Sequence, residues 1–138
     1  MVVGYDGSDA ARVALEYASS RAGRNGVVVV VHAYGPPADW LGRPEYQRVL
    51  DQHLGKGEAL LESIPVVEGV TYETDLIAGD PAEAIVNAAK VRGADEIVIG
   101  SHGYGRLRSI LGSVSHEVLH TADRPVVVVP RAAVKERS

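Results

Sequence analysis

The residues best suited to bind a ligand form a glycine-rich stretch in the last third of the chain. Gly100 and Gly103 follow an apolar run typical of a buried strand, and Gly112 with Ser113 precedes a second apolar segment of helical period. Glycine lets the backbone approach a ligand closely, and the start of a helix offers unpaired N–H groups to an anion. The pattern predicts an anion-binding connection between a strand and a helix, with phosphate as the expected anion.

Two general nucleotide motifs do not match this chain. A Walker loop requires Gly-Lys followed by Ser or Thr, and no such sequence is present. A dinucleotide fingerprint would open the first helix with G-x-G-x-x-G, whereas the first turn, Gly4 to Ser8, offers the carboxylate of Asp6 instead. The glycines alone therefore predict only an anion site near the fourth strand, and an ordinary glycine turn stays open as the alternative.

A second motif runs from His116 to His120 and matches the H-E-x-x-H pattern of zinc metalloproteases. At about 100° per residue, both histidines lie on one helical face, and the opposite face is aliphatic. We expect Leu111, Val114 and Val118 to pack on the sheet, so the histidines point toward solvent. No Gly-x-x-His follows to supply a third ligand. We expect no metal site and interpret the match as a coincidence of a polar helix face.

Elements that alternate along the chain must position these residues. Aliphatic runs and helical periodicity predict an α/β fold, an open five-stranded parallel sheet with helices on both faces. Ligands bind to such sheets at the carboxyl ends of the strands, where the strand order reverses. Asp6 follows the first strand and Gly100 the fourth, so they share one crevice if these strands are neighbours. The predicted strands are Met1 to Tyr5, Val27 to Ala33, Val70 to Ile77, Asp95 to Gly100 and Pro125 to Pro130, and the predicted helices are Ser8 to Gly23, Glu45 to Ser63, Asp80 to Arg92 and Ser113 to Thr121.

The composition narrows the function classes. The chain has 138 residues, of which 46% are hydrophobic and 23% charged, as in ordinary globular domains. A net charge of -4 without a basic stripe argues against nucleic acid, and the lack of cysteine excludes disulfides and thiolate chemistry. We find no membrane-length apolar run and no secretory leader, and expect a cytoplasmic protein without a membrane partner. We expect one domain over residues 1–131 and a polar tail over 132–138.

The chain resembles the universal stress protein family over nearly its whole length. Beyond the glycine loop, the resemblance rests on the segments Val3 to Ser8, Val-His-Ala ending at Ala33, Gly79 to Pro81 and Arg124 to Pro130. It implies a Rossmann-like sheet of strand order 3-2-1-4-5 with an adenine-nucleotide site. In that site Asp6 would lie at the adenosine end and the backbone of Ala33 would face the adenine. The implied nucleotide-binding residues are Asp6, Ala33, Gly100, Gly103, Gly112, Ser113 and, as a further phosphate candidate, Ser115.

The glycine loop departs from the family pattern by one residue. Eight residues separate Gly103 from Gly112, one fewer than the resemblance leads us to expect. We expect the loop to shorten at its tip, near Gly105, because indels are tolerated best at exposed tips. A weakened phosphate grip is the alternative. Arg106 and Arg108 are further candidates for phosphate contact, although loop arginines are more often only solvated.

The expected function is a regulatory, stress-response one, in which the protein binds ATP or a related nucleotide such as AMP or cyclic AMP. Mg²⁺ would be held mainly by the phosphates, and catalysis is expected to be slight or absent because no general base is convincingly placed. A homodimer is expected through the apolar fifth strand, whose residues are Val126, Val127, Val128 and Val129. Two alternatives stay open, a slow ATPase or nucleotidyl-transfer enzyme on the same fold, and a ligand-free dimeric adaptor.

Overall fold

The computed structural model describes residues 1–37, 40–101 and 111–130. Within these ranges, strands and helices alternate as the sequence predicts. Their bounds are β1 (Val2–Gly4), α1 (Asp9–Ala22), β2 (Val27–Tyr34), α2 (Arg43–Glu62), β3 (Thr71–Ala78), α3 (Pro81–Arg92), β4 (Ile97–Gly100), α4 (Ser113–Thr121) and β5 (Val126–Val129).

The strands form one parallel sheet in the order β3-β2-β1-β4-β5, which confirms the predicted class and strand order. In the centre, Val3 lies opposite Val30 of β2 on one side and Val98 of β4 on the other. The chain proceeds outward through β2 and β3 and then returns to the opposite side of β1. The strand order therefore reverses between β1 and β4, where a parallel sheet of this type opens a crevice.

The core consists of two apolar clusters, one on each face of the sheet. Val29 and Ile97 pack with α3 and α4 on one face, and Val30 and Val98 pack with α1 and α2 on the other. Successive residues of the central strands thus alternate between two buried faces. For this reason their sequence is continuously aliphatic rather than alternating with polar residues. Leu15 of α1 is fully buried, which stabilises the fold by about 2 kcal/mol relative to exposure.

Local sequence signals explain how the helices begin. Ser8 and Asp80 cap α1 and α3, and their side chains accept hydrogen bonds from the amides of Ala11 and Glu83. The start of α2 lies at Arg43, two residues before the predicted start, because a proline is tolerated in the first turn where its missing N–H needs no partner. No helix within the described ranges is both long enough and apolar enough to cross a bilayer.

The packing of Gly57 explains why α2 contains a glycine, a residue of low helix propensity. A Cβ atom at this position would contact the side chain of Leu76 on β3 and lie 3.3 Å from Cδ2 of His32 on β2. The glycine lets the helix approach the sheet closely, so a residue that lowers intrinsic helix propensity is favoured by packing.

The two edges of the sheet differ in charge. On the β3 edge, Arg92 donates hydrogen bonds to Asp75 at 2.6 and 3.0 Å and to Glu73 at 2.7 Å. These bonds, with Asp75 first, raise the pKa of the Arg92 guanidinium above its ordinary value. The β5 edge, Val126–Val129, carries four valines and no charge.

Candidate ligand-binding site

A cavity of about 300 Å³ lies at the carboxyl ends of β1, β2 and β4. Its volume is at the small end of the range of small-molecule sites, about 300–1,000 Å³. The ends of these strands form its floor, and the first turns of α1, α3 and α4 contribute its rim. Helix N-termini carry partial positive charge, so three such ends around one cavity favour an anionic ligand.

The turn after β1 forms the wall on the α1 side. Asp6 is exposed at the mouth of the cavity, and its Oδ1 accepts a hydrogen bond from the amide of Ser8 at 2.9 Å. Gly7 between them has φ 81°, a left-handed conformation that only glycine adopts without strain. The buried Ser8 then accepts a hydrogen bond from Ala11 N at 3.2 Å with its Oγ. The chain thus supplies side-chain acceptors to the amides at the start of α1.

The connection from β4 to α4 forms the opposite wall, and its two ends are bonded together. The carbonyl oxygen of Ser101 accepts a hydrogen bond from Gly112 N at 2.7 Å and another from Ser115 Oγ at 2.8 Å. Ser101 N in turn donates to Val129 O at 3.1 Å. Ser101 and Gly112, which flank residues 102–111, are therefore hydrogen-bonded to each other.

The start of α4 differs from that of α1 because no side chain caps it within the described residues. The N-cap is Gly112, whose own amide is bonded to Ser101 and whose carbonyl accepts from His116 N at 3.0 Å. The next three amides, of Ser113, Val114 and Ser115, lie in the first turn and have no intrahelical acceptor. All three residues line the cavity, so their amides are suited to bind phosphate oxygens.

Apolar side chains form the deeper part of the cavity. Val31 and Ala33 contribute from the end of β2, and Ile85 contributes from α3. Gly4 makes room for this wall, since a Cβ atom there would contact Cδ1 of Ile85. An apolar cleft beside an anion-binding rim suits a ligand with a flat, weakly polar part and a charged part.

Gly100 has a packing role that sequence reasoning did not identify. A Cβ atom at this position would lie 2.6 Å from the carbonyl oxygen of Ala10 and 2.8 Å from its Cβ. The glycine therefore permits α1 to lie against the end of β4. It lines the cavity as expected, but the backbone that approaches it closely is that of α1.

The structure brings the described site candidates together. Gly103 lies outside the described residues, as do Arg106 and Arg108, so they stay sequence-based expectations. The hydroxyl group of Ser115 donates toward the carbonyls of Ser101 and Gly112 at 2.8 and 3.0 Å, which leaves its amide as the donor suited to a ligand. The candidates that line the cavity are Asp6, Ala33, Gly100, Gly112, Ser113 and Ser115.

His32 and the first turn of α3 also line the cavity, although the sequence did not place them there. His32 Nδ1 lies 2.8 Å from the carbonyl oxygen of Tyr5. Because a carbonyl only accepts, Nδ1 carries the proton and Nε2 is an acceptor in the neutral ring. The signal that locates His32 is its position at the end of β2, two residues after Val30 on the same face of the strand. Pro81 could have been located from its position as the first residue of α3, a helix that begins at the same edge of the sheet.

The H-E-x-x-H segment lies away from the cavity, on the outer face of α4. His116 and His120 are exposed, while Val118 is fully buried and Val114 packs against the core. The prediction that the histidines face solvent is confirmed. The prediction for Leu111 is wrong, because this residue precedes the helix and is 44% exposed. Within the described ranges, no group of three His, Cys, Asp or Glu side chains is arranged to hold a metal ion.

Comparison with known proteins agrees with the fold. The profile of the universal stress protein family matches residues 1–130. A universal stress protein of Thermus aquaticus, encoded in the QAH/OAS sulfhydrylase 3′ region, is 39% identical over 132 residues, covering 94% of this chain and 96% of that protein.

Two solved structures illustrate the structural similarity. Universal stress protein UspA from Lactobacillus plantarum superimposes with a TM-score of 0.75 at 23% identity, covering 93% of this chain and 94% of that one. The universal stress protein from Archaeoglobus fulgidus in complex with dAMP has a TM-score of 0.59 at 29% identity, with coverage of 92% and 94%. From the match over nearly its whole length, the chain belongs to the universal stress protein family.

Proposed function

We propose that this protein binds an adenine nucleotide in the cavity between β1 and β4 and acts through binding rather than turnover. The observation that carries the proposal is the uncapped start of α4, whose three first-turn residues line a cavity with an apolar deeper part. A nucleotide matches both parts, since its phosphates accept hydrogen bonds from amides and its base prefers an apolar surface.

The phosphates and the base of the nucleotide would bind to different parts of the cavity. The phosphates would lie at Gly112 and Ser113, and the base would lie against Val31, Ile85 and the backbone of Ala33. Asp6, at the mouth between these regions, is suited to accept hydrogen bonds from the ribose hydroxyls. The relative from Archaeoglobus fulgidus that was solved with dAMP supports an adenine nucleotide as the class of ligand.

ATP with Mg²⁺ is the form that we propose. Among the described cavity residues, Asp6 is the one carboxylate, and a single carboxylate does not make a metal site by itself. Mg²⁺ retains several waters and is commonly carried by substrate phosphates. We propose that the ion enters with the nucleotide and that its charge offsets that of the phosphates.

Mass spectrometry of the purified protein, followed by calorimetric titration, tests the proposal. We expect a co-purifying adenine nucleotide and 1:1 binding of ATP with Mg²⁺, with GTP bound at least tenfold more weakly. At a concentration of about 100 times Kd, the ligand would stabilise the fold by about 2.7 kcal/mol. A melting temperature that does not change at millimolar ATP and Mg²⁺ would contradict nucleotide binding and favour the adaptor alternative.

We further propose that the protein is a homodimer joined through β5. This strand pairs with β4 on one side, and within the described residues its other edge has no partner. Four consecutive valines at a free edge favour pairing with another strand. Sedimentation equilibrium from 1 to about 100 μM would show a dimer, whereas a monomer over this whole range would contradict the proposal.

A further inference from the structure

The nucleotide cavity does not use the histidine pair on α4. His116 and His120 lie one turn apart on this helix, and both are exposed. Their rings are stacked, with centroids 6.5 Å apart and planes inclined by 10°. Within the described residues, neither ring forms a hydrogen bond or an ion pair. Their nitrogens are therefore available to an external ligand.

We propose that His116 and His120 together chelate one late first-row divalent metal ion, such as Zn²⁺, Ni²⁺ or Cu²⁺. The proposal is independent of nucleotide binding. It departs from the expectation from the sequence that there is no metal site, because two histidines can chelate an ion without the third protein ligand of a protease centre.

The helix positions the two rings for chelation. Side chains four residues apart lie on the same face, with Cβ atoms about 5–6 Å apart. Two imidazole nitrogens bound to one ion at about 2.0–2.1 Å lie roughly 3 Å from each other. The observed rings are already adjacent and nearly parallel. Because both side chains are exposed, rotation about χ1 and χ2 brings the nitrogens together without a change in the helix.

The ligand type selects the class of metal. Neutral imidazole binds Cu²⁺, Ni²⁺ and Zn²⁺ well, and affinity among these ions is highest for Cu²⁺. Hard cations such as Mg²⁺ and Ca²⁺ prefer oxygen ligands. The histidine site and the nucleotide cavity therefore take different ions, since Mg²⁺ would enter with the phosphates.

The site is an open one with two protein ligands. Glu117 lies between the histidines, but at about 100° per residue its side chain projects to one side of their common axis. Within the described ranges no third histidine or carboxylate completes a cluster. Water fills the remaining positions, so the ion exchanges readily and the fold does not require it.

Calorimetric titration of the full, tag-free chain with Ni²⁺ and Zn²⁺, without nucleotide, tests the proposal. We expect 1:1 binding that is about a hundredfold weaker in His116→Ala and in His120→Ala, because each variant loses the intramolecular second ligand. His53→Ala is the matched control. His53 lies on α2 with its Nδ1 2.7 Å from Gly35 O, and its removal should leave the affinity unchanged.

A variant in which one histidine is moved tests whether the spacing of the two histidines, rather than their number, determines the metal affinity. His120→Ala combined with Thr121→His keeps two histidines on α4 but places them about 140° apart around the helix. This variant should bind as weakly as His120→Ala. Binding of the rearranged variant with the original affinity would overturn the proposal, as would less than a tenfold loss in either single variant.

Electron paramagnetic resonance of bound Cu²⁺ supplies a readout that folding does not affect. We expect a signal from two equivalent nitrogen ligands in the original chain and from one in each single variant. Absence of binding at millimolar Ni²⁺, or equal affinity for Mg²⁺ and Ni²⁺, would also contradict the histidine pair as the ligand. Since these titrations contain no nucleotide, their failure leaves the test of ATP binding unaffected.

Discussion

Two helices begin at the same cavity in opposite ways. At the start of α1, side chains of the protein accept hydrogen bonds from the backbone. Ser8 caps the helix, and Asp6 accepts a hydrogen bond from the amide of Ser8. The start of α4 has a glycine at the cap position and no side-chain cap within the described residues. Two amides at the start of α1 are thus bonded to side chains of the protein, whereas the first-turn amides of α4 are left for a ligand in the cavity.

The difference shows how the fold separates stability from binding. A capped start contributes to stability with or without ligand, typically by about 1 kcal/mol. An uncapped start leaves its amides to water until an anion replaces the water. Substitutions at the two starts should therefore affect different measurements. Three such substitutions, and one at the end of β4, test the comparison.

Gly100→Ala should have the largest effect, because it disturbs the contact between the end of β4 and the start of α1. The added Cβ would meet the backbone of Ala10 at the beginning of α1, and overpacking of this kind costs about 3 kcal/mol. Chemical denaturation measures the loss. Gly35→Ala is the control, since nothing among the described residues lies within 4 Å of its added Cβ. Equal stability of the two variants would mean that α1 can shift without cost.

Ser113→Asp should separate binding from stability at the start of α4. The added carboxylate repels phosphate and should weaken ATP binding about tenfold or more. The same charge favours a helix N-terminus and should stabilise the protein by about 0.3–1 kcal/mol. Titration and thermal unfolding measure the two effects. Thr121→Asp, at the other end of α4, introduces the same charge away from the cavity and should leave the affinity unchanged. If both variants bind ATP normally, the phosphates do not lie at this helix start.

Ser8→Ala, at the start of α1, should lower the stability of the protein and leave its affinity for ATP nearly unchanged. Loss of the cap leaves the amide of Ala11 without its acceptor and should cost about 1 kcal/mol, seen as a fall of roughly 3–5 °C in melting temperature. The affinity for ATP should change less than twofold. Ser20→Ala, an exposed serine of the same helix, should leave both quantities unchanged. A tenfold loss of affinity in Ser8→Ala would show that α1 also binds the ligand.

Ser115→Ala should have the smallest effect on stability and affinity. It tests whether the hydroxyl group of Ser115 has a structural role or binds phosphate. If its hydroxyl only joins the carbonyls of Ser101 and Gly112, stability should fall by about 0.5–1 kcal/mol. The affinity for ATP should then stay within about threefold of the original, as calorimetry would show. A loss of tenfold or more without a change in stability would identify the hydroxyl as a phosphate ligand.

The sequence predicted the fold through its aliphatic runs. Runs such as Val27–Val31 specify strands buried on both faces, and alternation with helices specifies a parallel sheet. The convergence of Asp6 and Gly100 followed from the rule that ligands bind where strand order reverses. The resemblance to a known family supplied the strand order and the candidate residues of the site.

The contacts that hold the site together could not be predicted, because they join residues that are distant along the chain. Gly100 of β4 lies against Ala10 of α1, and Gly57 of α2 lies against Leu76 of β3. In the sequence both glycines have local explanations, a flexible loop and a weakened helix. Only the packed structure shows that each allows a helix to approach the sheet.

The bond between Ser101 and Gly112 has a consequence for how the site can diverge. A segment whose ends are held together by the fold can change in length at little cost, since loop-closure entropy varies only logarithmically with length. Removal of one residue from the ten between these anchors changes that entropy by only about 0.1 kcal/mol. Insertions and deletions between Ser101 and Gly112 should therefore cost the sheet and its helices little stability.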